Sequence, residues 1–377
     1  MKPDFEYNFK SILLIPARAL KAKKIFAASC ALLAAYVVFT VFAYLALAID
    51  GNSFTDIFDC YGLIPLELFT MDSLAASLVF FAGVLLSIFT LMLGIMAVAA
   101  CDIEQLRGNP FFSAREAIRF SLKRSSQLFL SMLAVASFIG LIILLGVVVG
   151  LLARIPVVGE LLYSIFFFFP NFIIALFTVV VVFVFILSVL VMPVTVIADR
   201  NRETFNSILE TFLTLTRHPF HWAGHTLYAA VTAKACGFIF AYFAYRAMQL
   251  VHYSTFLGGG DKIKTIIASG AAHLPLNSAM VSFTTSLFPG IDFGFDISAW
   301  SAGGTDMFAG YIMMLALSAV FIVIWGYQLS VIATGQAYSF AIIKYIRDDY
   351  KIGDETSLFY EEDWVNPPLD ETQNTES

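Results

Sequence analysis

Six long apolar runs set the rhythm of the chain, at about residues 25–49, 74–100, 127–152, 170–197, 222–250 and 307–342. As a helix rising about 1.5 Å per residue, each is long enough to cross a hydrocarbon core of about 30 Å. The last run is longer than a crossing needs. It predicts a helix that continues beyond the membrane to about Asp348. Three shorter stretches carry apolar residues at the i, i+3, i+4, i+7 spacing of one helical face. The first has Phe9, Ile12, Leu13, Ala17 and Leu20. The second has Ala114, Ala117, Ile118, Ser121 and Leu122, and the third Phe205, Ile208, Leu209, Phe212 and Leu215. Each stretch precedes a span, an outer segment and a return span, and each ends in basic residues: Lys21-Ala22-Lys23-Lys24, Lys123-Arg124 and Arg217-His218. The pattern predicts an all-α integral membrane bundle of six transmembrane helices, arranged as three hairpins. An amphipathic helix on the membrane surface introduces each hairpin.

Composition agrees. Of 377 residues, 59% are hydrophobic and 13% charged, and 39 are Phe. An average soluble domain is about 45–50% apolar and about 25% charged. A soluble chain this apolar could not cover its own surface.

Charge orients the spans, because cytoplasmic loops carry the excess of Lys and Arg. One set of segments holds seventeen basic residues: Lys2, Lys10, Arg18, Lys21, Lys23 and Lys24; Arg107, Arg115, Arg119, Lys123 and Arg124; Arg200, Arg202 and Arg217; Lys344, Arg347 and Lys351. The alternate segments hold three, Arg154, Lys262 and Lys264. Both termini are therefore expected in the cytoplasm. The formal net charge of −6 reflects acidic residues gathered after Asp348, and no basic domain exists to bind nucleic acid. Residues 1–348 read as the membrane domain. Residues 349–377, with Pro367-Pro368, read as an acidic cytoplasmic tail that is largely disordered.

The outer segments differ in character. Residues 50–73 carry five carboxylates and no basic residue. Residues 251–306 form a long excursion rich in Gly and aromatics, in which 262–288 predicts an amphipathic helix that caps the bundle. The four cysteines, Cys30, Cys60, Cys101 and Cys236, form no CxxC and imply neither a disulfide framework nor a zinc site. The first apolar run starts too late and runs too long for a cleaved signal peptide, although Ala46-Leu47-Ala48 looks like a cleavage site.

Chemistry-bearing groups are few. His218, His221 and His225 lie at the start of the fifth span, and the i, i+4 pair His221/His225 has the spacing of metal-binding helices. A ligand set needs three or four groups and no HExxH glutamate is present. We therefore read the cluster as an interfacial belt with Trp222. Lys234 lies within the fifth span, where a charge marks a functional site or a side chain snorkelling to the headgroups. Asp102 and Asp199 follow small residues at the ends of even-numbered spans. They are expected to cap the next surface helix or to pair with the stripe Arg115, Arg119, Lys123. That stripe has i, i+4 spacing and suits anionic lipid headgroups. Gly146-Val147-Val148-Val149-Gly150 offers a close-packing motif, and Pro193 predicts a bend in the fourth span. No P-loop, GxGxxG or GxSxG occurs, and no paired carboxylates lie within the spans. No cofactor is implied, and no protein partner is indicated.

From Arg154 onward, three features stand together. These are Arg154-Ile155-Pro156-Val157-Val158-Gly159, the run from Met192-Pro193 through an amphipathic helix to His218-Pro219-Phe220, and Tyr345-Ile346-Arg347-Asp348-Asp349 before an acidic tail. This half of the chain resembles a group of uncharacterised bacterial inner-membrane proteins. Those often carry Arg directly before the Pro, where this chain has His218. The plan is also similar to the membrane domain that accompanies some bacterial glycerophosphodiester phosphodiesterases. That activity does not carry over, because this chain holds no phosphodiesterase domain. The resemblance implies a bacterial inner membrane and no defined activity. The expectation is a non-enzymatic protein that organises lipid or a membrane complex. The alternative is a permease for a lipid-like or apolar solute with Lys234 in its path.

Overall fold

A computed structural model describes residues 5–61, 71–274, 285–286, 288 and 304–357. Among the described residues every regular element is helical. In order they are α1 (Phe9–Leu13), α2 (Ile15–Ala19), α3 (Ala22–Ile49), α4 (Phe54–Tyr61), α5 (Leu74–Leu106), α6 (Ala114–Lys123) and α7 (Ser125–Leu152). Then come α8 (Val158–Leu162), a π turn (Tyr163–Phe167), α9 (Phe168–Ala198), α10 (Thr204–Arg217), α11 (Pro219–Gly259), α12 (Asp261–Ala272), α13 (Thr305–Asp348) and a short 3-10 turn (Ile352–Asp354).

Six of these helices, α3, α5, α7, α9, α11 and α13, are long and apolar enough to cross a membrane. Each contains one of the six expected spans. The protein is an all-α, multi-pass membrane bundle. The order of one or two short helices, a long helix, a link and a second long helix recurs three times. The longest helices, α11 with 41 residues and α13 with 44, exceed a bilayer crossing. Helix α9 continues through the buried Pro193 to Ala198.

The chain resolves into two compact units. Unit 1 comprises residues 1–12, 95–226 and 333–377. In it α7 packs on α9, and α10 packs back on both. Val184 and Val191 of α9, Leu215 of α10, Trp222 of α11 and Ile343 of α13 form its apolar core. Elsewhere α7 and α9 expose Leu, Val, Ile and Phe along most of their length, as surfaces facing lipid do. Gly146 and Gly150 of α7 have no neighbour within 4 Å of a built Cβ, so the close-packing motif meets no helix in the described residues.

Unit 2 comprises residues 13–94 and 227–332. Its helices approach through small residues. A Cβ added to Gly94 would meet the Cβ of Ala31 at 2.3 Å, and one added to Gly326 would meet Ser29 Oγ at 2.1 Å. Such small-residue contacts bring helix backbones together where lipid removes the hydrophobic drive for association. Ala241, Phe288 and Ile324 form one of its apolar cores, and Leu274, Met314 and Leu317 another. The helix expected over 262–288 spans Asp261–Ala272, and 275–284 and 287 lie outside the described residues. Helix α11 runs on to Gly259 and so takes in the first part of the long excursion. The thiols of Cys30, Cys101 and Cys236 are unbridged, and the side chain of Cys60 lies outside the described residues.

The amphipathic stretches turn polar residues to the protein and leave large apolar ones outward. In α10 the buried residues are Ser207, Thr211, Thr214 and Leu215, while Phe205 is 76% exposed and Leu209 is exposed. Thr211 hydroxyl bonds the hydroxyl of Thr195 on α9 at 2.8 Å. The hydroxyl face is turned to protein because it finds hydrogen-bond partners there, and the apolar face is left outward. Likewise Phe9, Leu13 and Leu20 are exposed, and the first stretch is broken into α1 and α2 at Leu14. An outward apolar face is what a helix lying at a lipid surface requires.

Candidate functional site

Unit 1 concentrates buried polar groups around the C-terminus of α9. A helix leaves its last four carbonyls without intrahelical partners. Here two arginines supply them. Arg124, 2% exposed, directs Nη1 to the carbonyls of Val196 (2.9 Å) and Asp199. Arg107 donates from Nη2 to the Ala198 carbonyl at 3.3 Å. Cationic groups at this end also oppose the helix dipole.

Asp199 follows directly, in extended conformation. Its Oδ2 accepts from Gln127 Nε2 of α7 (2.9 Å) and from the Glu203 backbone N–H (2.8 Å), and its Oδ1 accepts from Asn206 Nδ2 (2.7 Å). Asp199 is the C-cap residue of α9, and its carboxylate takes the N–H of Glu203, the residue before α10. The carboxylate makes no ion pair with Arg115, Arg119 or Lys123. Asp102, buried on α5, accepts from Thr334 Oγ1 of α13 at 2.9 Å.

The segment after α13 folds onto this cluster. Arg107 pairs with Glu104 (3.1 Å) and with Glu355. Ser357 donates to Glu104, and Tyr350 donates to Glu355 at 2.5 Å. Burial, then the Glu355 hydrogen bond, push the Tyr350 hydroxyl up to about 12, so it stays a neutral donor. The Gly353 N–H donates to Tyr7 OH at 2.9 Å, and burial pushes that hydroxyl upward too. Residues 350–357 of the segment expected as tail are thus tied down, and 358–377 lie outside the described residues. Arg347 pairs with Glu210 at 2.8 Å and with Asp348 at 2.5 Å.

Beside the cluster opens a cleft of about 190 Å³. Asp199, Arg200, Asn201, Glu210, Lys344, Tyr350 and Glu355 are among the residues that line it.

The other candidate residues are not brought together. His225 is buried and its Nδ1 lies 3.1 Å from Ser339 Oγ, whereas His221 is exposed and His218 half-buried. The His218–His221 and His221–His225 ring centroids are 5.7 and 6.4 Å apart. Among the described residues no three His, Cys, Asp or Glu side chains are placed to hold a metal ion. Trp222 Nε1 donates to Gln336 at 3.0 Å, so the belt is fastened to α13. Lys234 is exposed on α11 and is not among the residues that line the cleft beside Asp199.

Arg115, Arg119 and Lys123 are all exposed on α6, together with Leu122. A capping box fixes the start of α6. Glu116 N–H donates to Ser113 Oγ at 3.2 Å, and Ser113 N–H donates to the Glu116 carboxylate at 2.6 Å. Ala117, Phe120 and Ser121 face inward, which holds the basic stripe out. Phe111, just before the helix, is 90% exposed.

Glu104, Arg107, Arg124 and Glu355 were not singled out by the sequence. A charge flanking an apolar run has the same pattern whether it is solvated or buried. The nearest signal was Asp102-Ile103-Glu104, which follows directly on a long apolar run.

Comparison of the chain with protein-family models, with curated proteins and with solved structures returns no match.

Proposed function

We propose that this is a non-enzymatic protein of a bacterial inner membrane that gathers anionic lipid at the cytoplasmic face, where both its termini lie. The observation that carries this reading is α6. Its three basic side chains are exposed in a row beside Leu122 and Phe111, the composition of a helix seated among charged headgroups. The outward Phe205 and Leu209 of α10, and Phe220 after it, extend the same kind of surface. The buried polar cluster supports the reading from the other side. Its carboxylates are each engaged by a cation, an amide or a hydroxyl, which is the chemistry of holding helices in register and not of turnover. The exposure of Lys234 favours a snorkelling side chain over a residue lining a solute path.

Two experiments test this. Reporter fusions after Lys24, Ser113, Asn201 and Lys351 should read cytoplasmic, and those after Asp56 and Gly259 external. A cytoplasmic signal at Gly259 would remove the six-span topology. Protein extracted in native-lipid discs should be enriched in anionic lipid over the parent bilayer. The triple variant Arg115→Gln, Arg119→Gln, Lys123→Gln should lose that enrichment, and unchanged enrichment would refute the lipid role.

A further inference from the structure

The exposed face of α6 carries three cations, Arg115, Arg119 and Lys123, with Leu122 and Phe111 exposed beside them. The same unit of the chain carries the matching anions. After Ser357 the sequence holds Glu361, Glu362, Asp363, Asp370, Glu371 and Glu376, and no Lys or Arg. Phe359, Tyr360 and Trp364 flank the first three of these. Each segment therefore combines charge of one sign with large apolar side chains, and the signs are opposite. The fold roots the acidic segment close to α6. Glu355 and Ser357 are fastened to Arg107 and Glu104 at the end of α5. Arg107 donates to the carbonyl of Ala198, and Arg124, the residue after α6, to that of Asp199. The root of the acidic segment and the C-terminal end of α6 are thus held at one helix terminus, within unit 1. Helix α6 has ten residues and is about 14 Å long. The chain from Ser357 to Glu376 has a reach of up to about 60 Å, several times that length.

We propose that the acidic segment 361–376 of this chain docks on the basic face of α6, and that anionic lipid gathers there by displacing it. The displacement rests on the lipid reading of α6, whereas the contact itself does not. A carboxylate offers Arg and Lys the same kind of charge-assisted acceptor as a headgroup phosphate. Attachment at Ser357 makes the contact intramolecular, with an effective concentration of carboxylate in the range of about millimolar. The segment therefore sets a threshold. Sparse anionic lipid meets a face already neutralised, and abundant anionic lipid takes the face over. The displaced carboxylates then share the sign of the lipid surface and are repelled by it, so release reinforces itself.

The test uses the full chain, one copy per nanodisc. In phosphatidylcholine alone, a zero-length carbodiimide cross-linker should join the Lys123 amine to carboxylates of 361–376, identified by mass spectrometry. The yield should fall in the double variant Arg115→Gln, Arg119→Gln, which keeps Lys123 as the reporting amine. It should also fall as phosphatidylglycerol replaces phosphatidylcholine. A second protein carries Glu361→Gln, Glu362→Gln, Asp363→Asn, Asp370→Asn, Glu371→Gln and Glu376→Gln, all outside the strap at 350–357. It should gather phosphatidylglycerol at a several-fold lower mole fraction than the parent. The cross-link in phosphatidylcholine requires no lipid role for α6. A cross-link with no phosphatidylglycerol enrichment in either protein would thus support the contact while refuting the lipid reading. No cross-link from Lys123 to 361–376, or measurable and equal enrichment in the parent and the six-site variant, would overturn the proposal.

Discussion

Unit 1 and unit 2 meet the same difficulty, holding apolar helices together in a solvent as apolar as they are, and they meet it with different groups. At the end of α9 in unit 1, two buried guanidiniums take orphan carbonyls, and ion pairs to Glu104 and Glu355 balance that of Arg107. At α2 in unit 2 the equivalent carbonyls go mainly to neutral hydroxyls. Tyr327 donates to Pro16 at 3.2 Å and Ser330 to Ala19 at 3.0 Å, with one amine, Lys24, on Arg18 at 2.9 Å. The close helix contacts of unit 2 are made by Gly94 and Gly326. Charge networks are costly to break because each member left behind is a buried, uncompensated ion. Small-residue packing fails by steric crowding instead. The two units should therefore differ in both the size and the cause of their weakest substitutions.

The largest effect is expected in unit 1. Arg107→Met removes the cation paired with the buried Glu104 and Glu355 and should cost about 3–5 kcal/mol, measured as a lowered unfolding midpoint in detergent. Replacing Glu104 and Glu355 by Gln in the same background should recover part of the loss. A loss under 1 kcal/mol would place those ions in water. Next comes Gly326→Ala in unit 2. Its new methyl would press on Ser29 Oγ and on the backbone of Ile25 and Ser29, for a cost of about 1–3 kcal/mol. Combining it with Ser29→Ala should relieve the strain, and no relief would mean that the backbone contact dominates. Smallest is Tyr327→Phe, which removes one neutral hydrogen bond to Pro16 and should cost about 0.5–1.5 kcal/mol. If it matched Arg107→Met, the contrast between the units would be lost.

The long elements were legible in the sequence because hydropathy reports them directly. All six runs became helices, and Asp199 stood out as a group in need of a partner at the end of a span. What the sequence hid was which residues of the surface helices the protein would hold. Periodicity showed that Phe205, Leu209 and Leu215 share one sector of α10, but not that Ser207 and Thr211 would take the protein side. In water the apolar face goes inward. At a lipid surface the hydroxyl face does, because only protein can satisfy it. Arg124 was hidden for a related reason. It follows Lys123 in a basic run, yet Lys123 is exposed and Arg124 is buried against α9. Only the tertiary position of the α9 carbonyls distinguishes the two. The cleft combines residues from 195–210 and 340–355, a pairing that no local pattern announces.

The central claim is that the outward basic row of α6 engages anionic lipid. The most direct measurement is the unfolding midpoint of the parent protein and the Arg115→Gln, Arg119→Gln, Lys123→Gln variant, each with and without anionic lipid added to a zwitterionic background. The three side chains are exposed, so the variant should match the parent when anionic lipid is absent. With anionic lipid the parent should gain stability, by up to about 1 kcal/mol per engaged charge, and the variant should gain little. An equal gain in both proteins would contradict the account.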